Sequence, residues 1–205
     1  MIRNSDFWFR ISYNIGMTSK FFSDKFSAAL SYDAYLQTGT DEQRRRWQQI
    51  YDAARLTDAQ QNLVKGFVRQ MNLLIVSGIW CGDCVQQCPL IARIAEANPE
   101  KISLRIVDRD QNRDLAEPFR MNGGDRIPVL IFLAEDFEFC GMYGERTIAR
   151  YRAIAHRSLG PACPTGIVAP DKEEMAATLG DWLTEIERVQ LMLRLSPRLR
   201  QKYGD

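Results

Sequence analysis

The chain has 205 residues, 45% hydrophobic and 26% charged, a composition that suits one globular domain with an appendage. With 27 basic against 26 acidic residues the formal charge is +1, so neither nucleic acid nor an anionic membrane is an expected partner. No run reaches transmembrane length without charges and the first residues lack the apolar core of a secretion signal, so the expected compartment is the cytoplasm.

Residues 1–40 are aromatic-rich and irregular, with a helix expected near 21–36. Thr40-Asp41 reads as an N-cap, after which Trp47, Ile50, Tyr51 and Ala54 recur at helical spacing. The basic run Arg44-Arg45-Arg46 is flanked by acids and reads as a solvated helix face. Thr57-Asp58 repeats the capping signal, and Leu63, Val64, Phe67, Val68 and Met71 give a second stripe. Up to this point the chain reads as helical, with no strong strand.

The pattern then changes. Leu73-Leu74-Ile75-Val76 is a short apolar run that suits a buried strand. Directly after it comes Trp80-Cys81-Gly82-Asp83-Cys84, which opens a helical pattern running to about Asn98. Two thiols so spaced at a helix N-terminus form a redox pair. Five cysteines in a reducing compartment favour catalytic or metal-binding roles over structural bridges.

Ile102, Leu104 and Ile106 alternate as a strand does. A short helix at about 112–121 leads into the loop Asn122-Gly123-Gly124-Asp125. Val129 to Leu133 is a continuous apolar strand, Asp136 turns it, and Phe137 to Met142 is its hairpin partner. Arg146 to Arg157 looks helical, and the Pro- and Gly-containing stretch 159–170 is a linker or wrapped loop. A last amphipathic helix carries Met175, Leu179, Trp182, Leu183, Ile186, Val189 and Leu193 on one face. The order predicts an α/β fold: a small mixed sheet flanked by helices, its first two strands parallel through a right-handed crossover and its last two antiparallel.

In several features at consistent spacing the chain resembles the thioredoxin family, over roughly residues 60–157. Trp80 precedes the first cysteine, Pro89 follows Cys81 where the family has a proline in its active-site helix, and Asp110-Gln111-Asn112 echoes the family's segment after the next strand. Ile127-Pro128 stands before an apolar strand, where the family carries a cis-proline, and Gly144 follows at the family's spacing. The resemblance implies a thioredoxin-like domain at 59–158, with a helical extension at 1–58 and a loop plus C-terminal helix at 159–205. It implies that Cys81 is the nucleophile and Cys84 resolves the mixed disulfide. It further implies a cis Ile127-Pro128 bond, a substrate groove with Trp80 as apolar rim beside Gly82, Ile127 and Pro128, and room for substrate at Gly144. No cofactor or metal is called for. The partner would be a disulfide in a protein or small molecule, and the electron donor stays open.

Two positions depart from the family. Its buried aspartate and the lysine paired with it fall, by count, at Ile75 and Ile106. Losing both together is physically consistent, because losing one strands a buried charge. Asp83 replaces the proline between the cysteines. It reads either as a favourable charge in a helix's first turn or as a proton-transfer group standing in for the missing acid.

Cys88 lies one turn after Cys84 and reads as a buried apolar thiol or a third redox group. Cys140 and Cys163 default to structural or free thiols. Two further functions stay open: a non-catalytic binding protein on the same fold, and a metal or iron–sulfur site through Cys81, Cys84 and Cys88. The iron–sulfur motif's first cysteine falls at Gly78 and is missing.

Overall fold

A computed structural model describes residues 17–159 and 173–204. Cys163 and nearly all of the 159–170 stretch lie outside the described residues, as do residues 1–16.

Four helices come first: α1 (Ser19–Ala28), α2 (Tyr32–Leu36), α3 (Asp41–Ala53) and α4 (Asp58–Lys65). Each starts on a hydroxyl N-cap, namely Thr18, Ser31, Thr40 and Thr57. Thr40 with Gln43 and Thr57 with Gln60 close full capping boxes, each satisfying two orphan N–H groups. The helix expected near 21–36 is broken at Leu30. That residue leaves the helix to form a bridge with Ile106, its N–H donating to the Ile106 carbonyl at 3.0 Å and its carbonyl accepting the Ile106 N–H at 2.8 Å. The bridge covers the outer edge of the sheet at one point, which blunts a free strand edge. The second stripe ends as a helix at Lys65, and Met71 already belongs to the first strand.

The sheet has strands β1 (Met71–Ser77), β2 (Ile102–Asp108), β3 (Val129–Ala134) and β4 (Phe139–Gly144) in the order β2-β1-β3-β4. β1 and β2 are parallel, as the crossover through helix α5 (Gly82–Glu96) requires. β3 runs antiparallel to both β1 and β4. β1 is buried except for Asn72 and β3 is buried throughout, which is why both read as unbroken apolar runs. β4 starts two residues later than expected because Phe137 takes a left-handed turn conformation with φ of 63°.

After β2 the chain forms α6 (Arg113–Ala116) and a single 3₁₀ turn over Glu117–Phe119, shorter than the expected helix. Pro118 lies inside that turn and has no N–H to continue the ladder. Helices α7 (Ile148–Leu159) and α8 (Glu174–Leu195) follow, and a short α9 (Pro197–Tyr203) starts on Ser196 with Pro197 at its first position. Of the predicted apolar face of α8, Leu179, Trp182, Leu183, Ile186, Val189 and Leu193 are buried and Met175 is partly buried, and Thr178 and Gln190 are buried beside them. α5 packs against α3 and α8. Phe22 of α1 stacks on Phe139 at 6.0 Å, and Trp47 of α3 is fully buried in the same core as β1 and β3. The N-terminal helices and α8 therefore share one hydrophobic core with the sheet.

Candidate functional site

The site begins where β1 ends. Gly78, Ile79 and Trp80 carry the chain from Ser77 to Cys81, the N-cap of α5. The indole Nε1 of buried Trp47 donates to the Ile79 carbonyl at 2.9 Å, so the N-terminal extension fixes the loop that presents the cysteines. A side chain at Gly78 would bring its Cβ to 2.9 Å from Ile127 Cδ1. Glycine there lets the cysteine loop lie directly against the Ile127 segment.

Cys81 is half-buried and its Sγ donates to the Ile127 carbonyl across 3.8 Å. The Ile127–Pro128 peptide is cis, as the resemblance implies. The structure thus brings together the first cysteine and the proline loop, 46 residues apart in sequence. Cys84 lies one turn further and is fully buried. Trp80 is 49% exposed, with the Arg109 guanidinium 5.1 Å above its ring. Gly82 is exposed, and nothing lies near the place its Cβ would take.

Gly144 lies against the proline loop. Its φ is 152°, and a Cβ there would sit 2.3 Å from the Pro128 carbonyl oxygen. The space it leaves is filled by the chain itself, so the glycine allows β4 to approach the Pro128 backbone closely.

The two thiols control one another. Hydrogen bonding with Cys84, then burial, pushes the Cys81 thiol up, while the backbone N–H groups of Cys84 and Asp83 act the other way. Burial pushes Cys84 up well above an ordinary thiol. Cys81 stands at the helix N-terminus, where a thiolate is favoured, yet in the dithiol its partner and its burial outweigh that effect.

Asp83 faces two cations. Its Oδ2 accepts from Arg146 Nη2 at 2.6 Å and from Arg146 Nε at 3.1 Å, and its Oδ1 accepts from Arg150 Nη2 at 3.1 Å. Burial pushes this carboxyl up, but the two guanidiniums outweigh it and hold it below the usual carboxylate range. Arg150 continues to Glu174, which also pairs with Arg157 at 2.7 Å. The carboxylate between the cysteines is therefore tied to α7 and, through Arg150, to the start of α8.

A second tie runs through Gln87, which is fully buried. Its Nε2 donates to the Glu145 carbonyl at 2.8 Å, and its Oε1 accepts the Thr147 N–H at 3.3 Å. The Glu145 carboxylate in turn accepts from Arg126 at 2.9 Å and from the Tyr151 hydroxyl at 2.8 Å. The Gly144–Glu145 peptide in this segment is also cis. Sequence reading missed Gln87, Arg146 and Arg150. One signal was available: Arg146 and Arg150 flank the start of α7, whose first turn has no acid, and cations there oppose the helix dipole. Such a local conflict marks residues serving a distant partner.

Ile75 and Ile106 pair directly across β1 and β2, and both are fully buried. They pack as apolar residues where the family's acid and lysine would stand. Among the described residues no group of three or more Cys, His or acidic side chains is arranged to hold a metal ion. No described helix is long and apolar enough to cross a membrane.

No curated protein matches this chain. Among solved structures, a protein of unknown function from Pseudomonas aeruginosa is 18% identical with a TM-score of 0.60, covering 80% of this chain and 93% of its own. An HIV epitope-scaffold is 16% identical, also with a TM-score of 0.60, covering 82% of this chain and 95% of its own. These two likenesses establish a shared fold. A sequence family described as Thioredoxin matches residues 29–156. With more than half of the chain inside that match, and a mixed four-stranded sheet flanked by helices around Cys81 and Cys84, the chain belongs to the thioredoxin family.

Proposed function

We propose that the protein is a thiol-disulfide oxidoreductase that reduces disulfides in proteins or small molecules through Cys81 and Cys84. One observation carries this reading: the half-buried Cys81 lies against the Ile127 carbonyl beside cis-Pro128, with Cys84 buried one turn behind it. Cys81 is the accessible thiol of the pair. Its thiolate attacks the substrate disulfide, forming a mixed disulfide and releasing one substrate sulfur. Cys84 then attacks the Cys81 sulfur, which closes the Cys81–Cys84 bond and frees the second substrate sulfur.

The substrate surface in this reading is the backbone at Ile127 and Pro128, with Trp80 as its apolar wall and Gly82 as its open side. The lack of a side chain at Gly144 lets β4 lie directly against the Pro128 carbonyl behind that surface. Asp83 fits a positioning role better than proton transfer, because two guanidiniums keep it ionised. The proposed compartment is the cytoplasm, a choice supported by cysteine usage, and the work there is maintenance of the thiol–disulfide balance.

The test is dithiol-driven reduction of a model protein disulfide, comparing the full chain with Cys81→Ser. Turnover by the wild type and none by the variant supports the reading. Equal rates in both, or no turnover in either, overturn it in favour of a binding protein on the same fold.

A further inference from the structure

Arg126 immediately precedes Ile127, whose carbonyl faces the Cys81 sulfur at 3.8 Å. Its side chain is 40% exposed, while the Glu145 carboxylate it meets is 6% exposed. Arg126 Nη1 donates to Glu145 Oε1 at 2.9 Å, and its other N–H groups have no partner among the described residues. A Cβ at Gly124 would lie 3.4 Å from both Cγ and Nε of Arg126, so the arginine stem rests across that bare backbone. The guanidinium is therefore held in place before a substrate arrives, which lowers the ordering cost of a contact.

Glu145 is shared. It also pairs with Arg146 at 3.5 Å, Arg146 pairs with Asp83 at 2.6 Å, and Asp83 pairs with Arg150 at 3.1 Å. Arg150 continues to Glu174 and Glu174 to Arg157. Among the described residues this row begins and ends on arginine, and each acid in it lies between two arginines. The row thus carries one positive charge more than its acids neutralise. Its two end arginines, Arg126 and Arg157, are its most exposed members. The Arg126 end is the one that adjoins Ile127 and Pro128.

The neighbouring acids do not cancel this excess, because each has its own cation. Asp125 is bound by Arg113 at 2.9 Å and by Arg120 at 2.8 Å, and Glu117 stands 3.6 Å from Arg113. Asp110 is taken by Arg109 and Asp114 by Lys25.

We propose that Arg126 is a specificity-determining residue that takes a carboxylate carried next to the substrate disulfide. A guanidinium offers paired N–H groups that match a carboxylate, and Glu145 uses only one nitrogen of this one. The substrate class is a disulfide with an acidic group close to its sulfurs, in a protein or a small molecule. The proposal rests on the oxidoreductase reading above and names the substrate class for that site.

The test compares dithiol-driven reduction of matched disulfides by the full chain at low ionic strength, each rate divided by the uncatalysed rate. One pair is dithiodiglycolate, a dicarboxylate, against the neutral hydroxyethyl disulfide. The other is a disulfide-bridged peptide with aspartate beside one cysteine against the same peptide with asparagine there. The wild type is expected to favour the acidic member about fivefold in kcat/KM, the scale of one exposed ion pair, and high salt should shrink that preference. A preference in the peptide pair alone supports the proposal with proteins as the source, and one in the small pair alone supports it with small molecules. Arg126→Gln is expected to abolish the preference and Arg126→Lys to keep most of it. Glu145→Gln retains an acceptor oxygen, removes the competing charge and should raise the preference about twofold. No preference in the wild type, or one that Arg126→Gln leaves unchanged, overturns the proposal while leaving the oxidoreductase reading intact. Failure of the wild type to reduce any of these disulfides overturns both. If Arg126→Gln does not fold, Glu145→Gln decides: a larger preference supports the proposal, and an equal or smaller one overturns it.

Discussion

Arg146 Nη2 lies 2.6 Å from Oδ2 of Asp83, which stands between Cys81 and Cys84. The pair joins the first turn of α5 to the start of α7, and both side chains are mostly buried, at 18% and 24% exposure. Its strength therefore lies between that of a surface pair and a fully desolvated one.

Asp83→Asn is expected to lower stability by about 2 kcal/mol near neutral pH. The sign of its pH dependence follows from the depressed carboxyl. A group held lower in the folded state contributes stability that is complete above its unfolded value, about 3.9. That contribution fades as pH falls through the folded value. Urea unfolding should thus separate wild type from variant near pH 7, and the gap should close in strong acid. The same substitution leaves Arg146 and Arg150 without their carboxylate beside the helix start. Cys81 should then alkylate faster at neutral pH. A gap that persists undiminished in strong acid would show that Asp83 is not the stabilising group.

Gly144→Ala tests the approach of β4 to the proline loop. The new Cβ meets a backbone oxygen at 2.3 Å, at a φ of 152° that side chains rarely adopt. Neither conflict is relieved by turning a rotamer. A loss of about 3 kcal/mol or more is expected, with disulfide reduction falling alongside as Pro128 shifts. A denaturation midpoint close to wild type would mean that β4 moves away freely, contrary to its register with β3.

What the sequence disclosed follows from the range of each signal. The Cys81/Cys84 spacing, its helix and the parallel β1–β2 unit come from local patterns, and the opposition of Ile75 and Ile106 was implied by the thioredoxin resemblance. The break at Leu30 was hidden because its cause is a hydrogen-bonded bridge to Ile106, far along the chain. The Asp83–Arg146 pair spans 63 residues and the Gln87–Glu145 bond spans 58. No periodicity encodes such pairs. Nothing in the sequence singles out Gln87, which the Glu145 segment covers on α5.

Trp80→Ala addresses the proposed substrate surface. The ring is 49% exposed and touched by the Arg109 guanidinium, so its loss should cost little stability, about 0.5 kcal/mol. An aromatic wall beside Cys81 would act through contact with a partner. The expected result is a KM raised several-fold for a protein disulfide, with kcat and small-disulfide reduction nearly unchanged. Equal losses on both substrates would place the ring in support of the cysteine loop instead.

Cys84→Ala separates the two influences on Cys81. In the dithiol, the hydrogen bond with Cys84 is the largest effect raising the Cys81 thiol, ahead of burial. The wild type should therefore hold Cys81 largely protonated at neutral pH, and its alkylation should still be accelerating above pH 9, an ordinary thiol value. Removing the Cys84 sulfur takes away the leading cause. It leaves the N–H groups of α5, which favour a thiolate. The alkylation midpoint of Cys81 should move down in Cys84→Ala, with a faster rate at neutral pH. A midpoint that stays high would assign the shift to burial alone, and one already low in the wild type would show that the helix N-terminus governs Cys81 from the outset.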